Sequence, residues 1–203
     1  MFGNRALPFL TLGGALLACS VLPSAAGQGV GNIETREFSL EGFQAVEACC
    51  GFEVALSGGD GYGVSVTADT NAFDSLVVDV KDGTLRLLVS PSGGSITTQT
   101  LKAEVTMPTL EGVTLDSGSS LTVGSVPPEG SQVSLEAGGG SHADLTAMTI
   151  GHAQVRLTAG ASAEVRVDGI LDYELSGGAH LDYYGDPDLG VATSSGGASA
   201  TAR

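Results

Sequence analysis

One phrase recurs down the second half of the chain: two apolar residues in alternation, a glycine three positions on, then a second alternating pair. It reads Val113-x-Leu115-x-x-Gly118-x-x-Leu121-x-Val123, then Val133, Leu135, Gly138, Ala143, Leu145, then Val155, Leu157, Gly160, Ala163, Val165, then Tyr173, Leu175, Gly178, Leu181, Tyr183. A fading fifth copy is Val191, Thr193, Gly196. The glycines lie 20, 22, 18 and 18 residues apart, the length of one coil of a β-solenoid and much shorter than a helical-repeat unit.

Equivalent positions on stacked coils sit about 4.8 Å apart, so the phrase predicts four internal columns. These are Val113, Val133, Val155, Tyr173; Leu115, Leu135, Leu157, Leu175; Leu121, Ala143, Ala163, Leu181; and Val123, Leu145, Val165, Tyr183. Glycine at the corner answers a sharp bend whose φ other residues resist. The last copy, Ser194 to Ala200, lacks large apolar residues, which suits a polar cap over the end of the stack.

The first half reads as hairpin-rich sheet. Period-two runs include Phe52-Glu53-Val54-Ala55-Leu56 and Val64-Ser65-Val66, and Leu76 to Val80 and Thr84 to Val89 flank Lys81-Asp82-Gly83, a tight-turn signal requiring positive φ. Val54-x-Leu56-x-x-Gly59 also fits the phrase, so the regular part is expected to begin early.

The N-terminus carries a targeting signal: Arg5, an apolar run Leu7 to Leu17 too short to span a bilayer, and Ser24-Ala25-Ala26 before Gly27. The expected division is a signal peptide over 1–26, a glycine-rich lead-in over 27–36, and one domain over 37–203 with regular coils from about 110. A lipoprotein signal over 1–18 competes, because Leu16-Leu17-Ala18-Cys19 resembles a lipobox that would leave Cys19 lipidated. Either route exports the chain. The net charge of −15 becomes −16 once Arg5 is removed, which argues against nucleic acid or anionic headgroups as partners and leaves a lipid anchor as the expected tie to a membrane. Cys49 and Cys50 are adjacent, so the choices in an oxidising compartment are free thiols, a ring between neighbours, or links to a second chain. The plain alternative is one buried and one exposed thiol without function. Neighbours on a strand point to opposite faces, so a ring requires a departure from strand geometry.

The order of several short pieces resembles the bacterial GIN domain family, described as the head domain of putative auto-transporter adhesins. The pieces are Gly31-Asn32-Ile33-Glu34-Thr35-Arg36, Gly42-Phe43, Phe52-Glu53-Val54, Ala68-Asp69-Thr70-Asn71, Asp82-Gly83-Thr84-Leu85, Met107-Pro108-Thr109-Leu110, Gly160-Ala161-Ser162 and Tyr184-Gly185-Asp186-Pro187. The resemblance covers the chain from about residue 31. It implies a right-handed parallel β-helix-like solenoid, an envelope or surface location (periplasm, outer membrane or cell surface), and no established catalytic residues. Cys49-Cys50 and the two extra residues of the coil with Gly138, Gly139 and Gly140 stand out as local departures.

Candidate chemistry is confined to outward columns. Asp144, Glu164 and Asp182 precede the last apolar column and are expected to stack, as is Asp116 above Glu136. Like charges this close repel unless a cation or a raised pKa relieves them, so Asp144, Glu164 and Asp182 are the candidate ligands of a calcium-type ion; solvated, splayed side chains are the plain alternative. No cofactor is otherwise implied. Arg156 is expected beside Glu174, an ordinary cross-strand ion pair. His142, His152 and His180 look scattered, and no serine lies in a nucleophile-elbow phrase. Tyr184, with Asp186 and Asp188 nearby, is a candidate sugar-contact patch. The expectation is a non-catalytic envelope protein that binds a surface glycan or an envelope protein, with a structural envelope lipoprotein and a carbohydrate-active β-helix enzyme as alternatives.

Overall fold

A computed structural model describes residues 32–90 and 100–203. Fifteen strands account for most of them: β1 (Ile33–Phe38), β2 (Ala45–Ala48), β3 (Glu53–Gly58), β4 (Gly63–Asp69), β5 (Leu76–Lys81), β6 (Thr84–Val89), β7 (Leu101–Met107) and β8 (Gly112–Leu115). The series continues with β9 (Ser120–Val123), β10 (Gln132–Ala137), β11 (His142–Leu157), β12 (Ser162–Leu175), β13 (His180–Tyr184), β14 (Asp188–Ser194) and β15 (Ser199–Ala202). Among the described residues the helical content is a single 3-10 turn, Phe73–Ser75. The all-β class expected from the alternation is therefore observed. The strand β1 begins inside the segment expected to be a lead-in, because Ile33 to Phe38 pair antiparallel with β4.

The strands join one sheet that wraps nearly closed, barrel-like, around a single core. Its order is fixed by levels, each made of two strands meeting at a corner, which pair in parallel with the level above and below. One level is β2 with β3, the next β8 with β9, then β10 with the start of β11. The end of β11 with the start of β12 follows, then the end of β12 with β13, and finally β14 with β15. Chain order and spatial order part company in the first half, since β6 and β7 form a level outside β2 and β3. That far end is covered by antiparallel strands, β5 over β6 and β4 then β1 over β7.

The corner is a pair of successive left-handed residues. Cys50-Gly51, Ser117-Gly118, Gly139-Gly140, Ala159-Gly160, Gly177-Gly178 and Gly196-Gly197 all have positive φ, between 50° and 84°. A residue with a Cβ costs about 1–2 kcal/mol in this conformation, which explains the invariant glycine at the second position of each corner. Three expectations are corrected here. The turning glycine of the third level is Gly140 and not Gly138, and that of the β2–β3 level is Gly51 and not Gly59, so Val54 and Leu56 follow the corner instead of preceding it. That of the last level is Gly197 and not Gly196, so Ala192 and Ser194, and not Val191 and Thr193, continue the inner columns.

Moving the corner shifts two of the four columns. Val113 faces Leu135 and Leu115 faces Ala137, whereas Val133 faces Ala153. The true internal columns begin Val46, Val113, Leu135, Val155, Tyr173 and Ala48, Leu115, Ala137, Leu157, Leu175. The expected column Leu121, Ala143, Ala163, Leu181 is present, extended by Val54 and Ala200, and Leu145, Val165 and Tyr183 stack as expected. Leu115, Leu135, Leu145 and Leu157 are buried, each contributing about 1.5–3 kcal/mol relative to exposure. The buried serines of the corners are satisfied locally: the Ser119 hydroxyl donates to Asp116 O at 2.8 Å and the Ser141 hydroxyl to Gly138 O at 2.6 Å, avoiding the 1–3 kcal/mol or so of an unpaired buried group.

Candidate functional site

With the interior filled by the columns, the outward columns of the parallel levels carry whatever the surface recognises. On the face built from β8, β10, the end of β11, the end of β12 and β14, Ser134, Gln154 and Asp172 stand in register, as do Thr114, Glu136, Arg156 and Glu174. Glu136 thus lies between Thr114 and Arg156, and its expected stacking beneath Asp116 is not seen; the shifted corner is the reason. Arg156 does pair with Glu174, at 2.8 Å.

Two adjoining depressions make a shallow trough over this face. One, of about 350 Å³, is lined by Glu111, Gln132, Ser134, His152 and Gln154. The other, of about 250 Å³, shares Ser134 and Gln154 and continues past Arg156, Asp172 and Glu174 to Val191. His152 Nε2 is 2.9 Å from Asp172 Oδ2, while the Val191 N–H donates to Asp172 Oδ1 at 2.6 Å. The bond to His152, and then that to Val191, hold the Asp172 carboxyl below the usual carboxylate range. Asp172 is therefore a fixed acceptor in the second depression and orients the imidazole of the first, while the amides of Gln132 and of Gln154, which both depressions share, supply both donors and acceptors.

The other outward face holds the expected acid column. Thr122, Asp144, Glu164, Asp182 and Thr201 follow one another in register. Each carboxylate, however, is engaged by its own neighbours. The Thr146 hydroxyl and N–H donate to Asp144 Oδ1 at 2.6 and 3.0 Å, and the Tyr184 hydroxyl donates to Glu164 at 3.3 Å. Arg203 donates to Asp182 Oδ2 at 2.9 Å, which together with its charge keeps the Asp182 carboxyl below its ordinary value against the opposing effect of burial. Among the described residues no group of three or more His, Cys, Asp or Glu side chains is arranged to hold a metal ion. The structure thus brings Asp144, Glu164 and Asp182 into one line without converging their oxygens.

Beside the acids runs a column that sequence reading missed: Ser120, His142, Ser162, His180, Ser199. His142 Nδ1 is 2.9 Å from Ser162 Oγ, and His180 Nδ1 is 2.9 Å from Ser199 Oγ. His180 Nε2 also lies 3.1 Å from the buried Asp182 Oδ1. The detectable signal is the recurrence of Ser or His two positions after Gly118, Gly140, Gly160, Gly178 and Gly197, which a corner placed at Gly138 or Gly196 conceals; after Gly51 that position holds Glu53. Tyr184 is half-buried, its ring under the Arg166 guanidinium at 5.5 Å and its hydroxyl on Glu164; burial first, and the Glu164 charge next, push its pKa up.

Cys49 and Cys50 are joined as a disulfide between neighbours. The departure from strand geometry that such a ring requires is supplied by the corner itself, where Cys50 has φ 67° in the place taken by Ser117 one level on. Cys19 lies outside the described residues.

The chain matches, over residues 42–129 and 128–187, the family described as putative auto-transporter adhesin, head GIN domain. Among solved structures it is similar to a putative adhesin from Parabacteroides distasonis, with TM-score 0.63 and 18% identity over 86% of this chain and 80% of that one. It is similar also to a putative adhesin from Bacteroides fragilis, with TM-score 0.53 and 15% identity over 84% and 96% of the two chains. At these identities the likeness concerns the fold. Among curated proteins none matches.

Proposed function

Because the chain belongs to the family of putative auto-transporter adhesins with a head GIN domain, we propose that it is a non-catalytic, extracytoplasmic envelope or surface protein that binds a neutral glycan along the trough over β10, β11, β12 and β14. The observation that carries this reading is the trough itself. It crosses several levels of a rigid sheet and offers amide, hydroxyl, imidazole and carboxylate groups at the strand spacing. Such an array suits a hydroxyl-rich chain lying across the strands, and binding groups held by packed strands need little ordering when a ligand arrives. The net charge of −15 disfavours acidic polysaccharides.

Two finer points belong to the same reading. The parallel pairing of successive levels supports a parallel β-solenoid as the description of the regular part, its right hand being what the family resemblance implies. The N-terminal targeting signal supports export, with the mature chain beginning at Gly27 or at a lipidated Cys19; intact-mass measurement of the N-terminus from the native host distinguishes them. The binding role is tested by exposing the purified protein to an array of neutral and acidic glycans. Saturable retention of a subset of neutral glycans supports the proposal, and uniform absence of retention, with capture of an envelope protein instead, replaces it with an assembly role.

A further inference from the structure

The sheet has three exposed margins, and they are not alike. The outer strand β1 carries Glu34, Arg36 and Glu37, and β5 carries Asp79 and Lys81; charges on an edge strand are the usual protection against pairing with another chain. The third margin is the outer side of β14 and β15, which pair inward with β12 and β13 and have no outer partner among the described residues. The polar cap expected here carries no protecting charge within its strands: beyond Asp188 at the start of β14, neither β14 nor β15 has an acidic or basic residue, and Arg203 is committed to Asp182.

The backbone of this margin is ready for pairing. Ser195, Ser199 and Arg203 donate their N–H groups inward, to Leu175, Ala179 and Tyr183. Alternate residues of a parallel strand bond to opposite sides, so Ala192, Ser194, Ala200 and Ala202 present theirs outward. Apolar surface gathers here as well, with Ile170, Leu189 and Val191 each about half exposed. We propose that this margin is the interface of a two-fold dimer, in which β14 and β15 of one copy pair antiparallel with the same strands of a second.

Charge selects the second copy as the occupant. In a chain of net charge −15 most faces bring carboxylates together when two copies meet, whereas this margin brings together Ala, Ser, Thr and Gly backbone. A two-fold contact is also closed: the opposite end of the stack is covered by β5 and by β4 and β1, so head-to-tail growth is blocked and assembly stops at two.

Sedimentation equilibrium over a wide concentration range, at moderate ionic strength, tests this with the mature chain and two variants. The double variant Thr193→Asp/Thr201→Asp places acids on the outward side of β14 and β15 while leaving their core-facing residues in place, and Ile33→Asp adds an acid to the β1 margin as a control. Far-ultraviolet dichroism establishes that both variants fold. The expected result is a reversible dimer, weakened at least ten-fold by the double variant and unchanged by the control. A strictly monomeric wild type, open-ended oligomers, or a double variant that dimerises as tightly as wild type would overturn the proposal.

Discussion

His180 and Ser199 face each other across the β13–β15 ladder with Nδ1 and Oγ 2.9 Å apart, as His142 and Ser162 do earlier in the same column. These residues are 19 and 20 positions apart in sequence, and only the parallel stacking of levels brings them together. The half-buried pair His142–Ser162 gives a direct energetic test. A double-mutant cycle with His142→Ala and Ser162→Ala is expected to show a coupling of about 0.5–1.5 kcal/mol in urea unfolding, the range for one intramolecular hydrogen bond. Strict additivity would mean that the two side chains do not meet.

Two glycines fail for different reasons when a side chain is added. Gly160 has φ +76° with open space around its missing Cβ, so Gly160→Val suffers from conformation alone, by about 1–2 kcal/mol. Gly169 has no such φ, but its Cβ would meet the carbonyl oxygen of Gly151 on the preceding level. Gly169→Ala is therefore expected to cost about 1–3 kcal/mol through overpacking. Thermal melts of both variants check this, together with Ala159→Gly, which relieves a left-handed alanine (φ 50°) and should raise the midpoint.

Acid destabilisation follows from the depressed carboxyls. The folded pKa values of Asp79, Asp172 and Asp182 lie below the unfolded value because of Arg86, His152 and Arg203 respectively. For a depressed acid, the stabilisation is complete above the unfolded pKa, near 3.9, and is lost as pH falls through the folded one. Urea unfolding should therefore show stability declining as pH falls below about 4, and Asp182→Asn should flatten that decline. An unchanged slope in this variant would show that Arg203 does not hold the carboxylate in solution.

Reduction of Cys49–Cys50 should change little in overall stability. A disulfide stabilises chiefly by closing a loop in the unfolded chain, and a bond between neighbours closes the smallest loop there is. Non-reducing electrophoresis is expected to show no cystine-linked dimer, with two thiols titratable only after a reductant is added. A melting midpoint that falls steeply on reduction would assign the ring a larger part in holding the corner.

Calcium addresses the acid column. With Asp144, Glu164 and Asp182 bonded to Thr146, Tyr184 and Arg203, millimolar calcium is expected to leave the melting curve of the wild type in place. A clear upward shift would show that these bonds yield to a cation.

What the residues alone disclosed depended on one choice. The apolar alternation identified the strands, and the Leu121, Ala143, Ala163, Leu181 column was readable because the corner and its downstream pair keep a fixed spacing. The run Gly138-Gly139-Gly140 offered three candidates for one bend, and only backbone geometry, with positive φ at Gly139 and Gly140, picks between them. Choosing Gly138 displaced Val113 and Leu115 by two residues and hid the Ser and His column. The placement of β6 and β7 outside β2 and β3 was unreadable for another reason: long-range order of levels leaves no local pattern, since Val46 fits Leu85 or Val113 equally well. His152 and Asp172, 20 residues apart, became a pair for the same reason that His142 and Ser162 did.

The central claim is that the trough around His152, Gln154 and Asp172 binds a neutral glycan. Titration calorimetry with the glycan best retained on the array, using wild type, Gln154→Ala and His152→Ala, tests it most directly. Saturable binding to wild type that weakens at least ten-fold in both trough variants, with Ile33→Asp on the distant β1 margin binding as wild type does, is the predicted result. Binding that both trough variants retain at full strength would contradict the account.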